Sequence, residues 1–525
     1  MAKNLAKVDR HNIEWFGTRD DCASLMSIQL TTGTVRGLRA LYIEFGYPIT
    51  AIAGRNGSGK TTVLALAACA FHNTPDGYHL PTRKTTYYTF GDFFVQSHDE
   101  PTLDGVEIEY GILCNQWKID AFPDGKGFGI QTRKKKPFGR WNDYDLRVNR
   151  NVVFFGLGRV VPHAEKSVSK SYRGSFRAGE RKIWSEKVLA IVGRILGRGY
   201  SHFRLDEYGK HRLAVVSIES TTYSGFNMGA GEDALFELIY TLHDCPRATL
   251  FIIDEIELGL HEDAQARLIQ ELKKICLDRH IQVICTTHSG RILEELPPIA
   301  RIYLQRSGKK IDVIPEISAA FATGKLSGKD IAEIDILVED STAERLVHSA
   351  MPLDMRRRVN IIAIGSAAAV MRSLAARYIE SGKSRDATAF LDADQRNKES
   401  KNISVCTSAM ERQRNGIDQS GWVRDRLHYL PGETPPEQWI VAQRDPDQLA
   451  ITAQQLGCSV DELAHILDES ALADAHSIFY EASQRLSLPV ENVAAELTKL
   501  AVASAKDEMA KLCEVITQRL AAVAK

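Results

Sequence analysis

The chain has 525 residues, 44% hydrophobic and 25% charged, and its 66 basic and 67 acidic side chains leave a formal net charge of −1. That length predicts about three domains. The charge balance excludes a protein that coats nucleic acid by bulk charge, and the composition excludes a disordered chain. No apolar run nears the ~20 residues of a membrane span, and the first residues carry no apolar signal core. The nine cysteines form no Cys-x-x-Cys pair, so neither a zinc cage nor a disulfide framework is expected. The expected setting is a reducing cytoplasm, with no membrane attachment.

In chain order, residues 27–30, 41–45 and 49–53 read as strands, the last ending in a Gly-rich turn. An apolar helix is expected over 61–71. Residues 72–150 are rich in Gly, Pro, Tyr and charge, with a strand-like piece at 105–113, and read as an irregular insertion. Residues 165–200 are polar and basic, then helical. Beyond a strand at 211–220, helices alternate with buried strands at 249–254 and 282–286, which implies a parallel α/β sheet. Residues 318–329 are small and polar and read as a linker. A second α/β pattern follows, with strands at 335–338, 360–363 and 388–391. Residues 441–525 have helical spacing throughout.

Gly54-Arg55-Asn56-Gly57-Ser58-Gly59-Lys60-Thr61 follows a buried strand and opens a helix. Glycines at this spacing let backbone N–H groups turn inward around a phosphate chain, and the helix adds its N-terminal dipole. Lys60 is expected on the β/γ-phosphates and Thr61 on Mg²⁺, with Asn56 and Thr62 beside the nucleotide. A metal-binding acid should stand on a neighbouring strand, and residues 249–253 deliver Asp254 and Glu255. Asp254 would hold Mg²⁺ and Glu255 would polarise the attacking water. With His288 after the next strand, this order resembles the ABC-type ATPases, including the structural-maintenance-of-chromosomes branch. The resemblance implies that His288 senses the γ-phosphate. It also makes Phe226-Asn-Met-Gly229-Ala-Gly231-Glu232 a signature motif, although Met228 replaces the usual serine. Gly229, Gly231 and Glu232 would then contact the nucleotide of a second protomer, so ATP would join heads in pairs. Gly259-Leu-His261 sits where the dimer-facing loop of that family falls.

Beyond residue 330 a buried strand ends in Glu339, and another ends in Asp392-Ala-Asp394. Strand periodicity would put Asp392 and Asp394 on one side. Three carboxylates converging at adjacent strand ends repel one another unless a cation sits between them. Oxygen donors favour Mg²⁺ or Mn²⁺. A Glu after the first strand, Gly365 after the second and Asp-x-Asp after the third resemble the TOPRIM fold of topoisomerases, primases and certain nucleases. Asp340 stands where that family often has glycine. Glu344 lies one residue beyond the family's usual further acid and is carried as a metal-ligand candidate. Glu433 and Glu437 are further candidates.

An ABC-type ATPase followed by TOPRIM resembles the OLD (overcoming lysogenization defect) nucleases. The expected organisation is an ABC-type P-loop ATPase domain over 1–320, with the irregular basic insertion at about 72–200. A TOPRIM α/β domain over 330–440 and a helical C-terminal region over 441–525 complete it. The resemblance implies an ATP-regulated endonuclease using ATP and Mg²⁺, with Mn²⁺ open at the second site. It would act as an effector of bacterial anti-phage defence, as a homodimer or higher even oligomer, alone or with an accessory protein. DNA is the favoured substrate and RNA stays open. Residues 131–150 hold seven basic side chains against two acidic, and residues 165–198 hold nine against three. Lysines and arginines there could neutralise backbone phosphates, and Trp141 or Tyr172 could stack on unpaired bases. Two rival readings stay open: a nucleotide-switched sensor or scaffold with an inactive TOPRIM fold, and a TOPRIM RNase acting on tRNA.

Overall fold

The structure, a computed structural model, describes residues 5–100, 102–118, 121–136, 141, 147–162, 165, 174–179, 182–308, 310–328, 332–379, 385–410 and 418–524. Arg140 and Tyr172 lie outside the described residues. The chain forms two units, Met1–Lys329 and Asp330–Lys525. Both are mixed α/β, and among the described residues no helix is long and apolar enough to cross a membrane.

The first unit is built on a six-stranded sheet, in the order Lys310–Pro315, Arg301–Ser307, Ile49–Gly54, Gln282–Thr287, Leu250–Ile253, Val152–Phe155. All neighbours are parallel except the first pair, which forms a hairpin. The strands Ile49–Gly54, Gln282–Thr287, Leu250–Ile253 and Val152–Phe155 are mostly apolar and buried because both faces are covered, whereas the hairpin strands carry charge at the edge. Phe251 and Ile253 enter one core with the helices Ser185–Leu196, Ala230–Asp244 and Glu262–Arg279, while Leu250 and Ile252 enter the other. That second core lies under the helix Lys60–Ala68 and a four-stranded antiparallel sheet.

The antiparallel sheet corrects the expected irregular insertion. Glu107–Cys114 and Gly127–Lys134 pair with each other, and the former pairs with Ser24–Thr32. Val152–Phe155 joins the central sheet itself. The expected linker is also corrected. Ala319–Leu326 is a helix, capped by Ser318 accepting from the Phe321 N–H, and Phe321 and Ala322 are buried in the first core. Small residues resembled a spacer because this helix buries one short face. A helix at Lys7–Thr18, not expected from the sequence, is held by Asp9, which pairs with Lys273 at 2.8 Å and accepts from the Tyr47 hydroxyl at 2.7 Å.

The second unit has a wholly parallel sheet, in the order Val359–Ala363, Ile334–Val338, Asp386–Leu391, Leu427–Tyr429. Leu337, Ala389 and Leu391 face a core shared with the helix Ala367–Ile379. Ile336, Val338 and Phe390 face a core shared with the helices between Pro446 and Ala524. The C-terminal helices thus cover one face of the sheet. Arg519, on the last of them, donates from Nε to Asp386 at 2.6 Å and from Nη1 to Asp425 at 2.9 Å.

His243, buried near the end of the helix Ala230–Asp244, has its pKa lowered to about 4, by burial first and then by Lys187 and Arg279. A depressed histidine stabilises the fold above its ordinary pKa of ~6.5 and loses that contribution as pH falls through about 4. His243→Phe is expected to flatten the loss of unfolding free energy between those limits, by up to about 3 kcal/mol in denaturant melts.

Candidate functional site

The phosphate loop turns between the Ile49–Gly54 strand and the Lys60–Ala68 helix. Gly54 has φ 156°, and a Cβ there would lie 2.5 Å from Ser58 Oγ and 2.6 Å from the Leu304 carbonyl oxygen, so the tight approach admits only glycine. Lys60 is buried and donates to the carbonyls of Gly54 at 2.7 Å and Arg55 at 3.3 Å. Burial lowers its pKa, opposed by the charges of Glu255, Asp254 and Glu257. An ammonium so placed satisfies itself on its own loop and has carboxylates opposite it. Thr62 is buried, whereas Asn56, Gly57 and Thr61 are exposed.

Asp254 and Glu255 follow the Leu250–Ile253 strand. Both Asp254 oxygens receive hydroxyls: Thr286 donates to Oδ1 at 2.6 Å, and Thr61 donates to Oδ2 at 3.3 Å. A threonine hydroxyl and a carboxylate this close, open on the Thr61 side, suit a shared Mg²⁺. Glu255 sits at φ 49°, with its N–H donated to Thr286 Oγ1 at 2.7 Å. Arg159, which no sequence motif announced, binds the carbonyls of Asp254 and Glu255 at 2.6 Å each and so fixes this strained turn. His288 is exposed, and its backbone N–H donates to Glu257 Oε1 at 2.5 Å.

Gly229 caps the helix Ala230–Asp244, and Gly231 lies against Gly259. A Cβ on Gly231 would come within 1.9 Å of the Gly259 carbonyl oxygen. Glu232, expected to face a second protomer's nucleotide, turns instead into its own chain. It accepts from the hydroxyls of Tyr200 at 2.6 Å and Tyr223 at 2.8 Å, and from Arg198 at 3.2 Å. His261 caps the helix Glu262–Arg279, its Nδ1 accepting from the Ala264 N–H.

In the second unit, Glu339 and Asp392 leave adjacent parallel strands at their C-terminal ends. Glu339 Oε1 accepts from the Asp392 N–H at 3.0 Å, and both side chains are buried. Asp392 Oδ1 has no hydrogen-bond partner. Burial pushes its carboxyl up to about 8, followed by the charges of Glu339, Asp340, Glu437 and Asp394; burial likewise raises Glu339. The expected alternation fails at Asp394. The strand ends at Leu391 and a 3₁₀ turn begins at Ala393, so strand alternation does not reach Asp394, whose Oδ2 accepts from Gln395 Nε2 at 2.7 Å and whose charge still bears on both Glu339 and Asp392. Gly365, at φ 129°, donates its N–H to the Glu339 carbonyl at 2.7 Å.

Among the described residues, a group with ligand atoms mutually within 4.8 Å is Asp340, Glu437 and His476; Glu344 takes no part in it, and Glu433 is exposed. Asp340 was visible only as a departure from the family's glycine. His476 lies far along the helical C-terminal region and gave no local signal.

Of the basic run over 131–150, Lys134 and Lys136 are exposed and Lys135 is half-buried, but three of its arginines are not at the surface. Arg133, Arg147 and Arg150 are buried. Arg147 donates to the Cys69 carbonyl at 3.0 Å, and Arg150 donates to the Ala248 carbonyl at 2.8 Å and Gln282 Oε1 at 2.7 Å. Trp141 stacks on Phe90, with ring centroids 3.8 Å apart. These side chains knit strands together, which corrects the expectation that they face nucleic acid.

Residues 30–109 match a family model described as an AAA domain, and residues 129–294 match one described as "AAA domain, putative AbiEii toxin, Type IV TA system". No curated protein matches the chain. Among solved structures, the Smc head bound to the C-winged helix domain of ScpA is 16% identical, covers 55% of this chain and 96% of that one, and has a TM-score of 0.37. The SMC head domain from Thermotoga maritima is 15% identical, with coverages of 55% and 98% and a TM-score of 0.34. The C-terminal region of the Xanthomonas campestris pv. campestris OLD protein is 12% identical, with coverages of 37% and 94% and a TM-score of 0.25. The first unit is an AAA-type ATPase domain: the phosphate loop lies in one matched segment and Asp254, Glu255 and His288 in the other. In the order of its motifs the chain is similar to the OLD proteins.

Lys60→Ala is expected to weaken nucleotide binding and ATP turnover by about two orders of magnitude, measured with a fluorescent ATP analogue and by phosphate release. Gly231→Ala is expected to cost on the order of 1–3 kcal/mol, read as a lowered melting midpoint, because backbone and not a flexible side chain must move.

Proposed function

We propose that the chain is an ATP-regulated, divalent-cation-dependent nuclease of OLD type, with residues 330–440 as a TOPRIM cutting domain. The observation that carries this reading is the Glu339–Asp392 pair. Two buried carboxylates stand at strand ends, one oxygen is unpartnered, and the charges that bear most on Asp392 are all negative. Such donors fit a divalent cation and fit little else. A cation bound there supplies Lewis acidity toward a phosphodiester oxygen. Glu339 and Asp392 would hold it, and Asp394 adds negative charge beside them. The Gly365 N–H fixes the backbone that delivers Glu339.

In the ATPase domain Lys60 and the loop amides receive the phosphates. Thr61 and Asp254 would hold Mg²⁺, which supplies charge neutralisation at the phosphates when bound, and Glu255 would orient the attacking water. His288 contacts the γ-phosphate. ATP pairs two heads through Gly229 and Gly231, in an even oligomer, and hydrolysis resets the pair. DNA is the favoured substrate, and the OLD resemblance extends the reading to bacterial anti-phage defence.

Asp392→Ala is expected to abolish cutting of plasmid, single-stranded DNA and tRNA with Mg²⁺ or Mn²⁺ while leaving ATP turnover unchanged. EDTA is expected to abolish wild-type cutting as well. A pure Asp392→Ala preparation that cuts as wild type overturns the site. A wild-type protein that cuts nothing under any of these conditions favours a nucleotide-switched sensor.

A further inference from the structure

We propose that Glu257 is a positioning residue for ATP hydrolysis: its carboxylate holds the backbone at His288, so that the turn carrying Glu255 and the loop carrying His288 meet the γ-phosphate as one piece. The inference rests on the roles given above to Glu255 and His288. Glu257 lies in the turn that follows the strand Leu250–Ile253, and His288 follows the strand Gln282–Thr287. These strands are parallel neighbours, which sets their C-terminal ends side by side. Glu257 Oε1 accepts from the His288 N–H at 2.5 Å. Two more bonds join the same elements: Thr286 Oγ1 accepts from the Glu255 N–H at 2.7 Å, and the Thr286 carbonyl accepts from the Ile256 N–H at 3.1 Å.

Packing alone does not account for Glu257. Its Oε2 is buried without a hydrogen-bond partner, a costly state for a carboxylate. Its charge bears on Lys60 in the phosphate loop and on Arg159, which holds the carbonyls of Asp254 and Glu255. Glu257 therefore stands where the phosphate loop, the Glu255 turn and the His288 loop come together. His288 is exposed, so its place is set by its backbone rather than by packing around its ring. The chain just beyond it is anchored separately. Ser289 Oγ donates to Gln265 Oε1 at 2.6 Å, and Gln265 Nε2 donates to the Leu260 carbonyl at 2.7 Å. Ser289 also caps the helix Gly290–Glu295. Loss of the Glu257 bond thus frees His288 while the helix behind it keeps its start.

Two substitutions separate reach from charge in the full-length protein with Mg²⁺ and ATP. Glu257→Asp keeps the charge and shortens the reach by one methylene. It is expected to lower kcat at least ~10-fold while the affinity for a fluorescent ATP analogue changes less than ~3-fold. Glu257→Gln keeps an oxygen at full reach and is expected to retain kcat within ~3-fold of the wild type. His288→Ala measures what the histidine contributes. Glu257→Asp combined with His288→Ala is expected to be within ~2-fold of His288→Ala alone, because both changes remove one shared interaction. Wild-type turnover in Glu257→Asp, a loss in Glu257→Gln as deep as in Glu257→Asp, a fall in affinity that matches the fall in kcat, or losses that multiply in the combined variant each overturn the proposal alone. A His288→Ala variant as fast as the wild type, or a wild type that binds ATP without hydrolysing it, ends the reading of the ATPase centre and the proposal with it.

Discussion

Mutual repulsion of carboxylates at the ends of buried parallel strands is the constraint around which both units are arranged. A parallel sheet covered on both faces has no room for charge along its strands, so acids collect where the strands stop. In the first unit the protein supplies the opposing charge itself. Lys60 faces Asp254, Glu255 and Glu257, and hydroxyls from Thr61 and Thr286 occupy the two Asp254 oxygens. In the second unit Glu339, Asp340, Asp394 and Glu437 all push the Asp392 carboxyl the same way. One centre is balanced by its own side chains, whereas the charges that bear most on Asp392 in the other are all negative.

The phosphate loop and the strand ending in Asp254 were legible because their chemistry fixes both residue type and spacing. A glycine at 54 is demanded by the Leu304 carbonyl, and a buried strand before it by the sheet. The edges of the first unit were less legible. Glu107–Cys114 carries half-buried Glu107 and Glu109 on one face, and Gly127–Lys134 exposes Phe128, Ile130 and Lys134, so half their pattern resembles loop. Arg147 and Arg150 read as surface because nothing in a sequence distinguishes a guanidinium in water from one spent on buried carbonyls.

In the second unit the strands and Glu339 with Asp392 were legible, and the fine geometry was not. Alternation was carried three residues past Leu391, to Asp394, where the chain had already begun a 3₁₀ turn. Asp340 looked like a flaw in a motif, yet it caps a helix and meets Glu437 and His476. A histidine recruited by tertiary packing leaves no spacing rule to find.

The buried arginines carry a consequence for thermodynamics in salt. Arg133, Arg147 and Arg150 are buried in the first unit and so are not placed to neutralise backbone phosphates and free the cations condensed on them. Contact between this region and a duplex would therefore release fewer counterions than its residue composition suggests. The logarithmic dependence of affinity on ionic strength would be correspondingly shallow.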